Sequence, residues 1–202
     1  MYKNSKRFRP TIILIAANVA VYIFTSYMGG GFLRTSDMMI YNYGLNGQLF
    51  FQGEWWRLFT SMFVHADIAH IAGNMLFLFI YGLRAEEMFD AKEYTAVYFL
   101  SGLAGNALSL FTDFFSVGAS GAIFGVLGAV MIYARRSIGQ SIISALVFAF
   151  FLFTVNIAPN VNIWAHFGGL VVGLALGYLF AANRKPSHHV SYQYNYPTSY
   201  GQ

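Results

Sequence analysis

Residues 117–134 read VGASGAIFGVLGAVMIYA, an apolar run without a charged side chain. Ser120 stands near its beginning, flanked by Gly118 and Gly121. A hydroxyl in hydrocarbon needs a hydrogen-bond partner, and a serine this close to the start of a helix has few carbonyls of its own helix within reach. Small neighbours also let another backbone approach closely. The stretch therefore indicates either a packing seam between membrane helices or a hydroxyl that meets a group on another helix.

The composition of the whole chain is that of a membrane protein. Of its 202 residues, 57% are hydrophobic and only 10% are charged, whereas roughly a quarter of a soluble domain is charged. The chain contains no cysteine, which excludes a disulfide framework and a thiolate metal site. Its net charge of +4 is small and is concentrated on one predicted side of the membrane, so it does not indicate nucleic-acid binding.

Six apolar runs predict an all-α integral membrane protein with six transmembrane helices. The predicted spans are residues 11–28, 68–83, 94–111, 117–134, 142–158 and 163–182. The first run is longer than the apolar part of a typical signal peptide, so we expect it to be retained. Residues 29–64 are rich in aromatic side chains, which predicts a large first loop lying partly in the headgroup region of the membrane.

Three segments follow from these spans. Residues 1–10 form a basic amino-terminal segment, residues 11–182 the six-helix domain, and residues 183–202 a polar, tyrosine-rich tail that we expect to be disordered. With six spans, most basic residues fall on one side of the membrane, namely Lys3, Lys6, Arg7, Arg9, Arg84, Lys92, Arg135, Arg136, Arg184 and Lys185. Arg34 and Arg57 fall on the other side. This asymmetry predicts that both termini are cytoplasmic.

Polar residues lie just inside the outer ends of the second, fourth and sixth spans. They are His70 and Asn74, Ser120, and His166, respectively. At the rise of an α-helix, all four are expected about 5 to 10 Å below the outer surface. His166 shares a helix face with a stripe of small residues, Gly169, Gly173 and Gly177. The stripe should let the sixth helix pack closely and point His166 at its neighbour.

The four polar residues could together perform acyl transfer. Ser120 would be the nucleophile and His166 the general base. His70, Asn74 and the backbone N–H of Ser120 could donate hydrogen bonds to an oxyanion.

No carboxylate shares the predicted depth in the fourth and sixth spans, so the pattern predicts a Ser/His dyad rather than a triad. Asp67 and Asp113 lie in or beside outer loops, and either could still orient the histidine.

The chain resembles the rhomboid family of intramembrane serine proteases, in a compact six-helix form. The motifs that carry the resemblance are Trp56-Arg57, His65, His70-Ile71-Ala72-Gly73-Asn74, Gly118-Ala119-Ser120-Gly121 and Ala165-His166-Phe167-Gly168-Gly169. The resemblance implies that Ser120 is the nucleophile, that His166 is its partner, and that His70 and Asn74 help to form the oxyanion site. It also implies supporting roles for Trp56, Arg57, His65, Glu86, Gly118, Gly121, Phe124 and Gly169.

One position departs from well-known rhomboids. Phe124 stands where they have a tyrosine stacked on the catalytic histidine, so the stacking can be kept while the hydroxyl is lost. The resemblance further implies a fifth helix that gates substrate entry, single-span membrane proteins as substrates, and no metal or other cofactor. We expect no nucleic-acid partner, and a location in a prokaryotic cell membrane with the active site open to the outer face.

Three alternatives remain at this point. A metal-dependent hydrolase could use His65, His70 and His166, although the spacing is not His-Glu-x-x-His and no buried carboxylate completes a ligand set. An inactive relative could bind and escort membrane helices with the same fold. A channel or transporter is less compatible with the sequence, which has neither paired midplane charges nor an internal repeat.

Overall fold

The computed structural model describes residues 9–138 and 162–182. These residues form eight helices: α1 (Pro10–Met28), α2 (Asp37–Tyr43), α3 (Gly47–Phe51), α4 (Arg57–Thr60), α5 (Ile68–Met88), α6 (Ala91–Ser109), α7 (Ser120–Ile138) and α8 (Ile163–Ala182). Within the two described ranges there is no strand, and only two isolated β-bridges occur. The prediction of an all-α protein is confirmed for this part of the chain.

Within residues 9–138 and 162–182, three helices are long and apolar enough to cross a membrane, namely α1, α5 and α8. They correspond to the predicted first, second and sixth spans. Helices α6 and α7 lie where the third and fourth spans were predicted, and the apolar part of α7, Ser120–Arg135, is shorter than a full span. The predicted fifth span at 142–158, the tail at 183–202 and residues 1–8 lie outside the described residues.

Local capping moves the start of α6 from the predicted Tyr94 to Ala91. The Asp90 carboxylate accepts a hydrogen bond from the backbone N–H of Glu93 at 2.9 Å, and the Glu93 carboxylate accepts one from the N–H of Asp90 at 2.9 Å. This reciprocal pair is a capping box, which satisfies backbone donors that the helix cannot pair itself. It begins the helix one turn before the apolar run.

A glycine conformation delays the start of α7. The apolar run begins at Val117, but Gly118 has a φ of +120°, which lies outside the helical region and which residues with a side chain rarely adopt. The helix therefore begins at Ser120, and the serine occupies its first turn rather than its second.

Four glycines let α7 and α8 touch backbone to backbone. A methyl group at Gly169 would collide with the carbonyl of Gly121, and one at Gly173 would collide with the carbonyl of Gly125. We call Gly121, Gly125, Gly169 and Gly173 the glycine seam. Because no side chain separates the two helices there, groups in their first turns are held at a fixed spacing.

The first loop is held by a different device, hydrogen bonds from side chains to backbone carbonyls. The buried Arg57 guanidinium donates to Tyr41 O at 2.6 Å and to Gly44 O at 2.7 Å. Three other side chains behave similarly: Thr35 donates to His65 O, Thr60 to Tyr43 O, and Asn106 to Leu58 O. We call Thr35, Arg57, Thr60 and Asn106 the loop frame. These bonds fix backbone that belongs to no long helix.

Candidate active site

The hydroxyl of Ser120 meets the ring of His166. Ser120 is the first residue of α7 and His166 the fourth of α8, and the distance from Ser120 Oγ to His166 Nε2 is 2.8 Å. The His166 side chain is only 4% exposed. The pair therefore forms a short hydrogen bond between two helices, shielded from solvent by the surrounding helices.

The helix that carries His166 begins at a side-chain cap. Asn162 Oδ1 accepts a hydrogen bond from the N–H of Ala165 at 3.2 Å, and the Asn162 carbonyl accepts one from the N–H of His166 at 3.3 Å. Asn at this position satisfies donors that the helix leaves unpaired. The cap thus fixes the backbone immediately before the histidine.

Small residues in α6 and α7 admit the first turn of α8. A methyl group at Gly121 would lie 3.1 Å from the carbonyl oxygen of Ala165, and one at Gly105 would collide with the same carbonyl. A side chain at either position would push Ala165, and with it His166, away from Ser120. The short distance between the hydroxyl and the imidazole therefore depends on glycine.

The ring of Phe124 covers one face of the His166 ring. The two ring centroids are 4.4 Å apart and the planes are inclined by 16°, which is a stacked arrangement. Phe124 follows Ser120 by one helical turn, so a single helix supplies both the hydroxyl and the stacking partner. The imidazole is thereby restricted in rotation as well as in position.

His70 and Asn74 of α5 lie against Gly118, two residues before Ser120. A Cβ atom at Gly118 would lie 2.8 Å from His70 Nε2 and 3.7 Å from Asn74 Nδ2. Asn74 Nδ2 also donates to the carbonyl of His70 at 3.1 Å. The four polar residues that the sequence placed at one depth are thus brought together around the segment from Gly118 to Ser120.

The backbone at the start of α7 adds further donors. The first four N–H groups of an α-helix have no partner within the helix, and they carry partial positive charge. Ser120 and Gly121 are the first two residues of α7. A developing negative charge beside Ser120 Oγ could therefore be met by backbone N–H groups together with the side chains of His70 and Asn74.

His65 is fully buried beside this group. Its ring makes an edge contact with the His70 ring at a centroid distance of 5.1 Å, and its Nδ1 donates to the carbonyl of Phe63 at 3.1 Å. Burial, together with a smaller contribution from the charge of His70, lowers the pKa of His65 to about 3. At neutral pH His65 is therefore an uncharged side chain packed behind His70.

The two carboxylates considered as orienting groups lie elsewhere. Asp67 Oδ1 accepts a hydrogen bond from the backbone N–H of His70 at 2.7 Å, which makes Asp67 the N-cap of α5. Asp113 is exposed in the turn after α6. Asp67 thus serves the helix that carries His70 and Asn74.

Trp56, Arg57 and Glu86 lie outside the hydrogen-bonded group. Arg57 belongs to the loop frame, and its Nε donates to the Glu54 carboxylate at 2.8 Å. The half-exposed Trp56 precedes α4. Near the far end of α5, Glu86 accepts a hydrogen bond from the backbone N–H of Thr11 at 2.9 Å, which joins α1 to α5. These contacts support the fold rather than touch Ser120.

The described ranges contain no set of ligands for the metal-dependent alternative. No group of three His, Asp or Glu side chains among residues 9–138 and 162–182 is arranged to hold a metal ion. His65, His70 and His166 in particular do not converge in this way.

Sequence reasoning missed two residues that hold this group in place. Asn162, which stands immediately before the apolar run of α8, could have been recognised as a helix cap from its position. Thr35 contacts a carbonyl 30 residues further along the chain, and no local pattern indicates such a bond.

Comparison with known proteins gives a consistent result. The pattern that defines the rhomboid domain matches residues 52–183. RHOMBOID-like protein 1 of Arabidopsis thaliana is 37% identical to this chain, with 73% of this chain and 39% of that protein aligned. The rhomboid protease GluP of Bacillus subtilis (strain 168) is 31% identical, with 90% and 42% aligned. The rhomboid protein YdcA of the same organism is 34% identical, with 86% and 89% aligned.

The chain spans less than half the length of the first two of these relatives and most of the third. The rhomboid domain itself covers more than half of the chain and contains α5, α6, α7 and α8. Among the residues that the structure describes, three helices are long and apolar enough to span a membrane. The chain therefore belongs to the rhomboid family of integral membrane proteins.

Proposed function

We propose that this protein is an intramembrane serine protease that hydrolyses peptide bonds in or near the transmembrane helices of membrane proteins. The observation that carries the proposal is the 2.8 Å hydrogen bond between Ser120 Oγ and His166 Nε2, with His70 and Asn74 beside the same serine. The name of GluP, a rhomboid protease, supports the same activity.

In the proposed reaction Ser120 Oγ attacks the carbonyl carbon of the scissile bond. His166 Nε2 takes the hydroxyl proton during the attack and returns it to the leaving amine. A water molecule, activated by the same nitrogen, then hydrolyses the ester bond to Ser120 and restores the free hydroxyl. The stack of Phe124 on His166 would keep Nε2 aimed at the serine throughout.

The negative charge of the tetrahedral intermediate requires donors on the side of Ser120 away from His166. His70 Nε2, Asn74 Nδ2 and the N–H of Ser120 could supply them, because they surround the segment that leads into α7. Donors held in place before the reaction stabilise the transition state without a cost of reorganisation. We assign the oxyanion site to these three groups.

We further propose six transmembrane helices in residues 11–182, with the large first loop partly embedded in the membrane. Basic residues are concentrated on one side in that arrangement, which supports cytoplasmic termini on both segments 1–10 and 183–202. Ser120 would then lie near the outer face, accessible to water. The expected substrates are single-span proteins of a prokaryotic cell membrane, which would enter past the fifth helix.

The test compares three proteins purified in detergent: wild type, Ser120→Ala and the matched control Ser116→Ala. Ser116 precedes Ser120 by four residues and is itself buried. Each is incubated with a single-span model substrate, with and without a chelator. We expect cleavage by wild type and Ser116→Ala alone, unaffected by chelator.

Cleavage by folded Ser120→Ala at the wild-type rate would contradict the proposed nucleophile. Loss of wild-type activity with chelator would instead favour a metal enzyme. A folded wild type that binds the substrate helix without cutting it, and whose Ser120 does not react with a fluorophosphonate, would identify a helix-binding relative.

A further inference from the structure

One peptide group connects the segment after α1 with His70. The Thr35 hydroxyl donates to the carbonyl of His65 at 2.7 Å, and the N–H of Thr35 donates to the next carbonyl, that of Ala66, at 2.9 Å. Thr35 is only 4% exposed. A single buried residue therefore holds two consecutive carbonyls of the turn that leads into α5.

The other side of the same peptide group faces the His70 ring. In a trans peptide the carbonyl of one residue and the N–H of the next point in opposite directions. The carbonyl of His65 points at Thr35, so the N–H of Ala66 points away from it, and its nitrogen lies 3.5 Å from His70 Nδ1. The rigid peptide plane thus joins the Thr35 hydroxyl to one ring nitrogen of His70.

This contact distinguishes the two neutral forms of the His70 ring. A backbone N–H can only donate, so the ring nitrogen that faces it must carry a lone pair. A proton on Nδ1 would instead bring two N–H groups against each other. The distance is long for a hydrogen bond, but the preference between the two tautomers is clear in direction. The proton of a neutral His70 then resides on Nε2.

Nε2 is the nitrogen that faces the segment leading into α7. A Cβ atom at Gly118 would lie 2.8 Å from it. An oxyanion beside Ser120 needs a donor at this nitrogen, and the other tautomer would present a lone pair to the negative charge. The choice of tautomer therefore decides whether His70 stabilises or opposes the proposed intermediate.

We propose that Thr35 is a positioning residue that holds His70 as the Nε2–H tautomer, acting through the peptide group between His65 and Ala66. The inference rests on the proposed function, because it concerns the oxyanion role assigned to His70. Thr35 itself does not touch the reacting atoms.

His65 provides an internal reference for the experiment. Its Nδ1 lies 3.1 Å from the carbonyl of Phe63, and a carbonyl can only accept, so its proton is on Nδ1. The two neighbouring histidines are therefore held by backbone groups in opposite tautomers. Nitrogen NMR separates the two forms, since protonated and unprotonated ring nitrogens have different chemical shifts.

The decisive variant is Thr35→Val, which keeps the shape of the side chain and removes the hydroxyl. Thr25→Val is the matched control. Thr25 is another buried threonine whose hydroxyl lies 3.4 Å from that of Thr35 and donates to the carbonyl of Tyr22, not to the turn before α5. Thr35→Ser restores the hydroxyl.

Histidine ring nitrogens are observed by ¹⁵N NMR in detergent-solubilised full-length protein, with signals assigned by single His→Gln variants. We expect His70 as Nε2–H and His65 as Nδ1–H in wild type, Thr25→Val and Thr35→Ser. In Thr35→Val a substantial share of His70 should change to Nδ1–H. Wild-type His70 found as Nδ1–H, or Thr35→Val with an unchanged His70 spectrum, would overturn the inference.

Kinetics give a second readout. Thr35→Val should lower kcat about five- to tenfold, the effect of roughly one hydrogen bond, with KM within about twofold of wild type, and Thr35→Ser should recover most of the loss. Equal kcat in Thr35→Val and wild type would also overturn the inference. If wild type cleaves no substrate, the proposed function fails, while the NMR spectra still decide the tautomer.

Discussion

The glycine seam and the loop frame position two parts of the candidate active site by opposite means. In the seam, Gly169 and Gly173 of α8 lie directly on backbone carbonyls of α7, and the spacing of Ser120 and His166 depends on side chains being absent. In the frame, Thr35 and Arg57 hold irregular backbone through hydrogen bonds, and the position of His70 depends on side chains being present. Adding atoms to the glycine seam should therefore disturb the packing of α7 on α8. Removing donors from the loop frame should disturb the first loop.

The largest effect expected from this comparison is on the rate rather than on the fold. Asn74→Ala removes a proposed oxyanion donor and should lower kcat by roughly two to three powers of ten, with little change in Tm. Asn42→Ala, at an exposed position of α2, is the control. A wild-type kcat in folded Asn74→Ala would show that Asn74 takes no part in the reaction.

Next in size is the loss of the central donor of the loop frame. Arg57→Leu leaves the carbonyls of Tyr41 and Gly44 without their partner and should cost about 3 kcal/mol of unfolding free energy. Arg84→Leu is the matched control, since the Arg84–Glu87 pair is exposed and such pairs contribute little. Denaturation in mixed micelles measures both, and equal stabilities would mean that the frame does not hold the loop.

Adding one methyl group to the seam should have a somewhat smaller effect. Gly169→Ala places a methyl group against the Gly121 carbonyl and should cost about 1 to 3 kcal/mol, the usual range for overpacking, together with most of the activity. Gly73→Ala adds the same group to α5, where nothing lies within 4 Å. The measurement is the Tm of each variant. We expect the Tm of Gly73→Ala to equal or exceed that of wild type and the Tm of Gly169→Ala to be lower. The reverse order would contradict the comparison.

The smallest effect, when expressed per pH unit, is a dependence of stability on pH that originates in the turn before α5. The pKa of buried His65 is lowered to about 3, against about 6.5 in the unfolded chain. Below pH 6.5 the unfolded state binds the extra proton and the folded state does not, so stability should fall as pH decreases towards 3, by no more than about 1.4 kcal/mol per pH unit.

This slope is measured as the Tm of wild type and His65→Gln between pH 7.5 and pH 5. Above pH 6.5 we expect no contribution from His65. A wild-type slope equal to that of His65→Gln would show that the group does not titrate on unfolding in this range.

The contrast between the glycine seam and the loop frame also explains which features could be predicted from the sequence. The glycines of α8 recur at helical spacing beside His166, so the face and the partner helix of His166 could be predicted from periodicity and topology. The stack of Phe124 on His166 was expected from the resemblance to rhomboids, which have an aromatic residue one turn after the serine. These features are local or periodic, and the structure has Ser120 and His166 in contact.

The loop frame could not be predicted in this way. The bond from Thr35 spans 30 residues, and those from Arg57 to the first loop span 13 and 16. Such contacts leave no period in the sequence, because irregular backbone can pass a side chain in many ways. The start of α7 was placed too early for a related reason, since the apolar run conceals the left-handed conformation of Gly118.

The most direct test of the proposed dyad is covalent labelling by a fluorophosphonate in detergent, read by mass spectrometry of the modified peptide. Wild type, Ser120→Ala and His166→Ala are compared, with all three shown to be folded by their Tm. We predict modification of Ser120 in wild type and a loss of labelling in both variants, because the serine is activated only through the hydrogen bond to His166. Undiminished labelling of Ser120 in His166→Ala, or labelling of wild type at another serine alone, would contradict the assignment of nucleophile and base.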